Sequence, residues 1–102
     1  MKTVLLIALT ILASQFAHAG GDIAAGAVKS KPCAACHGAD FNTPVSADIP
    51  RLAGQHADYL AIALKSFQDG SRNHAVMTSV AKTLSASDID NLAAYYASAS
   101  CK

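Results

Sequence analysis

The 102-residue chain contains no glutamate, no internal repeat, no low-complexity tract and no cluster of basic residues. Its lysines and arginines from Lys29 onward are spread out and interleaved with aspartates, which excludes the concentrated positive surface that nucleic-acid binding requires. Long hydrophobic runs are also missing. The longest, residues 4–12, is interrupted by Thr10 and reaches only about half of the roughly 20 residues a bilayer-spanning helix needs. No segment alternates apolar and polar residues as a half-buried strand does, so the expected fold class is all-α.

What is present divides into two unequal parts. Lys2, the apolar residues 4–12 and Ala17-His18-Ala19 have the order of a secretory signal: a positive start, a short apolar core and a small-x-small cleavage site. Residues 1–19 are therefore expected to be removed after export, leaving one domain over residues 20–102. That domain carries seven basic and seven acidic residues, keeps all three cysteines, and has Met77 as its only methionine. A domain this small buries little surface and commonly relies on disulfides, a metal or a cofactor. Three cysteines cannot all pair with one another, which favours a cofactor over a disulfide framework.

Three to five short helices are expected. Residues 22–30 open on a capping aspartate and end before Pro32, which cannot continue a helix. Residues 38–54 are rich in Asp, Asn, Thr, Ser and Pro without steady periodicity and read as loop. Across residues 56–69, Leu60, Ala63, Leu64 and Phe67 recur at the spacing of one buried helical face, and Gly70 supplies the stop. Residues 73–79 read as a second loop. Ser85 with Asp88 resembles a capping arrangement, and Ile89, Leu92, Ala93 and Tyr96 again define one apolar face.

The chemistry is concentrated in Cys33-Ala34-Ala35-Cys36-His37, the pattern of c-type haem attachment. Two thiols at this spacing can add to the two vinyl groups on one edge of a porphyrin, and the histidine that follows can bind the iron from below. A thioredoxin-like dithiol would need a βαβ surrounding, and a zinc site would need further ligands at regular spacing, drawn from Cys101, His56 or His74. The second axial ligand determines the function, because a closed six-coordinate iron transfers electrons whereas an open one binds gases or peroxide. Met77 is favoured for that position, with His74, His56 or no protein ligand as rivals, and with ordinary core packing as the other use of a methionine.

Taken together, Gly21-Asp22 with Gly26, Cys33 to Gly38, Ile49-Pro50-Arg51-Leu52-Ala53-Gly54-Gln55-His56, Met77 and Leu92-Ala93-Ala94-Tyr95-Tyr96-Ala97 resemble the class I c-type cytochromes. Within them the chain is similar to one half of the dihaem cytochrome c4 family. The resemblance implies a single covalent haem c, His37 and Met77 as axial iron ligands, and a Pro50 carbonyl bonded to the His37 ring. It also implies that Gly26 lets Tyr95 cross closely while Tyr96 faces inward, and it makes Arg51, Gln55 and Arg72 candidates for propionate contacts or simply surface residues. The expected function is periplasmic electron carriage between partner proteins, without catalysis of its own and without stable membrane insertion. Docking is expected through a loosely apolar patch formed by Ala34, Ala35 and Gly38. Cys101 departs from the family pattern; it is either a terminal thiol without a role or the link of a dimer.

Overall fold

A computed structural model describes residues 20–101. Five α-helices and one 3₁₀ turn make up the regular structure, and no strand occurs among the described residues. The expected leader, residues 1–19, lies outside the described residues. Among those described, no helix is long and apolar enough to cross a membrane.

Helix α1 (Ile23–Lys29) begins where the Asp22 carboxylate accepts the Ala25 amide at 3.0 Å, and it ends where the Ser30 amide turns back to the Gly26 carbonyl. Its apolar side chains are not what it buries: Ile23 and Val28 are exposed, and Gly26 is the buried position. The reason is the crossing with α5 (Ala86–Ser98). A methyl group on Gly26 would overlap the Asn91 carbonyl and stand 2.7 Å from the Tyr95 Cβ, so the two backbones approach as only glycine permits. The Asp22 amide adds a bond to the Asn91 side chain at 2.8 Å.

After a 3₁₀ turn at Lys31–Cys33, the short α2 (Ala34–His37) completes the cysteine-histidine segment. Helix α3 (Ala57–Asp69) buries Leu60 and Phe67, partly covers Ala63 and Leu64, and stops at Gly70 in the left-handed conformation. Helix α4 (Ala75–Ala81) corrects the expected loop at 73–79. The His74 ring accepts the Met77 amide at 3.3 Å, and Thr78 Oγ1 accepts the His74 amide, also at 3.3 Å. Histidine is an uncommon cap, and seven residues are too few to display helical periodicity, so this element had no clear signal in the sequence.

Helix α5 starts with a reciprocal cap: the Ser85 hydroxyl accepts the Asp88 amide and the Asp88 carboxylate accepts the Ser85 amide. Ile89, Leu92, Ala93 and Tyr96 are all buried, as their spacing predicts. They form the spine of the molecule, against which α1 packs on one side and α3 on another. Gln68 fastens α3 to the end of α4 and the turn that leads into α5 by donating to the Ala81 and Leu84 carbonyls at 2.8 Å each.

Candidate functional site: a covalent haem centre

The cysteine-histidine segment is held by backbone bonds at both ends. The Cys33 amide donates to the Ser30 carbonyl, the Gly38 amide to the Ala34 carbonyl, and the Val45 amide to the Cys36 carbonyl. Cys33 is partly buried against the core, while Cys36 is exposed, and both thiols are free. One helical turn places them near each other with Ala34 and Ala35 between them.

His37 is buried, and its Nδ1 lies 2.8 Å from the Pro50 carbonyl. A carbonyl can only accept, so the ring proton resides on Nδ1 and the Nε2 lone pair is left available. This fixes the tautomer that a metal-binding imidazole requires, and the bond sets the ring's orientation as well. Pro50 reaches His37 because the 38–54 segment folds back on itself. Gly38 takes a positive φ of 91°, Asp40 accepts the Asn42 and Thr43 amides, and the Phe41 carbonyl accepts the Leu52 and Ala53 amides. The Asp40 carboxyl is held below its ordinary range chiefly by the Asn42 amide.

Phe41 anchors this loop and was not foreseen from sequence. It is buried at a φ of 57°, with its ring 4.7 Å from that of Tyr96 and 6.0 Å from that of Tyr95. A single aromatic in a polar, aperiodic stretch gives no pattern to detect. Asn42, likewise buried, donates to the Ser100 carbonyl at 2.8 Å and ties the loop to the chain's end.

Met77 lies partly buried in the first turn of α4. That helix packs on α3 and on no other helix, whereas α2 packs only on the 3₁₀ turn before it. A buried imidazole held through Nδ1, two free thiols just before it in the chain and a thioether on α4 are donor types suited to an iron porphyrin.

The rival ligands are placed differently. His74 is exposed and its Nδ1 is occupied in capping α4; His56 is exposed at the start of α3. Among the described residues no group of three or more histidine, cysteine or acidic side chains is arranged to hold a metal ion. Arg72 stacks its guanidinium 4.9 Å from the centre of the Phe67 ring, Arg51 is exposed, and Gln55 accepts the His56 amide. In the expected docking patch, Ala35 is exposed and Ala34 partly so, but Gly38 is buried under Thr43 and cannot contribute. Cys101 is exposed beside Gly54.

The fold and this donor set define a small all-helical protein built around a covalent haem. The chain belongs to the cytochrome c family, whose model matches residues 23–100. It is similar to cytochrome c4 of Pseudomonas aeruginosa, 42% identical over 97 residues that cover 95% of this chain and 48% of that protein. It therefore spans about half the length of that relative. Cytochrome c-554(548) of Halomonas halodenitrificans is 46% identical over 81 residues, covering 76% of this chain and 96% of that protein. Among solved structures, reduced recombinant cytochrome c4 from Pseudomonas stutzeri superimposes with a TM-score of 0.66 at 28% identity, over 79% of this chain and 52% of that one. The fold is thus that of the class I cytochromes c, and the cofactor is covalently bound haem c with its iron.

Proposed function

We propose that this chain is a periplasmic carrier of single electrons, with haem c bonded to Cys33 and Cys36 and its iron held between His37 and Met77. The observation that carries this reading is the 2.8 Å bond from His37 Nδ1 to the Pro50 carbonyl, which reserves Nε2 for a metal. When bound, the haem supplies a one-electron couple. The chain's own residues do the rest. His37 and Met77 occupy both axial positions and so deny them to small molecules, and methionine sulfur favours the ferrous state. Pro50 fixes the imidazole plane, so no ligand needs to reorient when the charge changes. The exposed Cys36 and Ala35 mark where the attached edge comes to the surface, and weak docking of a donor or acceptor there suffices. The leader at residues 1–19 supports export, after which the chain acts as a monomer or as a dimer linked through Cys101.

The test is the absorption spectrum of the ferric protein, with Met77→Ala as control. The expected result is a weak long-wavelength sulfur-to-iron charge-transfer band in the wild type that the substitution abolishes. A high-spin wild-type spectrum would mean an open iron and would put gas binding or peroxide chemistry in place of electron carriage.

A further inference from the structure

Tyr96 Oη is the buried side-chain polar atom for which the described residues provide no hydrogen bond. Its residue is only 3% exposed, and its ring is locked between Phe41 and Tyr95, with centroids 4.7 Å and 5.5 Å away. An unpartnered buried hydroxyl costs stability, and phenylalanine would fill the same space without that cost. The hydroxyl is therefore informative about what it faces. Cys33 packs, partly buried, against the same cluster. Burial first, then the neighbouring Cys33 and Tyr95 side chains, push the phenol's ionisation upward.

We propose that the Tyr96 hydroxyl donates a hydrogen bond to the Cys33 sulfur when that sulfur is a thioether, and that this bond raises the reduction potential of the haem. The inference rests on the assignment of Cys33 to haem attachment. A thiol can donate as well as accept, so a phenol and a thiol leave their roles undecided; a thioether sulfur has only lone pairs, and the phenol must then be the donor. The positive end of the O–H dipole is directed at the porphyrin edge from inside a low-dielectric core, where screening is weak. That orientation favours the state with the additional electron. Because it would act through Cys33, Tyr96 is a positioning and tuning residue.

The test is Tyr96→Phe in the holoprotein. At a fixed ambient potential its ferrous-to-ferric ratio is expected to fall about threefold, which for a one-electron couple is a shift of about 30 mV downward. Its denaturation midpoint is expected to fall as well. An unchanged or raised potential, or a variant more stable than the wild type, would overturn the proposal, because removal of a truly unpartnered hydroxyl stabilises. Phe41→Leu serves as the packing control and is expected to lower stability while leaving the potential in place. Should Tyr96→Phe not fold, proton NMR of the wild-type ferrous protein gives the answer: a slowly exchanging Tyr96 hydroxyl proton close to the Cys33 β-protons supports the bond, and its absence refutes it. Cys33→Ser separates the two levels of inference. If that variant still shows the alkaline pyridine spectrum of a haem with two thioethers, the assignment of Cys33 fails; if it shows one thioether and Tyr96→Phe leaves the potential unmoved, only the hydrogen bond fails.

Discussion

Gly38, the residue directly after the proposed proximal ligand, holds a φ of 91°, in the left-handed half of the backbone map. A methyl group there would run into the Thr43 carbonyl. Both facts trace to one requirement: the chain must leave His37 sharply enough to bring Pro50 back over its ring. Gly38→Ala is expected to cost about 2–4 kcal/mol, combining backbone strain with overlap. Denaturant titration of the holoprotein would measure it. Because strain relief by moving the loop would also displace the Pro50 carbonyl, the potential should shift in the same variant. Residues such as Cys33, Cys36 and His37 are legible in the sequence since their chemistry requires a fixed local spacing. Pro50 was reached only through family resemblance, because its carbonyl acts from 13 positions away and any residue has a carbonyl. Phe41 could not be read at all; its burial depends on loop closure and not on a repeating pattern.

Helices differ in how much of themselves they announce. Helix α5 was legible from end to end, because its cap, its apolar face and its length all agree. Helix α1 was legible as a helix from its cap and Pro32, but its packing only through the family resemblance, which put Gly26 at the crossing with Tyr95; its apolar Ile23 and Val28 are exposed. Helix α4 was missed, being short and capped by a histidine. The α5 cap also allows a prediction. Ser85→Ala removes the acceptor for the Asp88 amide and is expected to cost about 1 kcal/mol. The Asp88 carboxyl is held below its ordinary value of 3.8, first by the Ser85 amide and further by the Ser85 hydroxyl and by Lys29, whose Nζ lies 3.4 Å away on the α1 side. A carboxyl with a lowered folded-state pKa stabilises fully above its unfolded value, and that contribution is lost as pH falls through the folded one. The Ser85→Ala penalty should therefore be constant from neutral pH down to about pH 5 and shrink only in part below about pH 4, where the wild type loses the hydroxyl-to-carboxylate share; the lost acceptor for the Asp88 amide does not titrate. Paired denaturation curves at those pH values would check the trend, and a penalty that grows in acid would contradict it.

At the scale of the whole molecule, the balance of forces is unusual in how little of it the polypeptide provides. Among the described residues only Ile89 and Leu92 are large side chains sealed completely from solvent, and the buried apolar set is otherwise made of small alanines, two phenylalanines, one leucine and the inward tyrosine. Among the described residues α4 touches α3 alone and α2 only the turn before it, so two of the four other helices are not joined to the α5 spine by helix packing. Hydrophobic burial scales with area, and chains of this size are marginal without a further source of cohesion. A covalent haem c is such a source, and the proposed attachment through Cys33 and Cys36 would supply cohesion that the helices do not provide to one another. This reading predicts that the double variant Cys33→Ala, Cys36→Ala, which cannot form thioethers, loses much of its helical circular dichroism at 25 °C and lacks a cooperative thermal transition. The single variants, each keeping one thioether, should retain the helical signal with a lowered midpoint. If the double variant instead melts cooperatively with its helical signal intact, the α1–α5–α3 core is self-sufficient, and the haem contributes a redox function to an already stable fold.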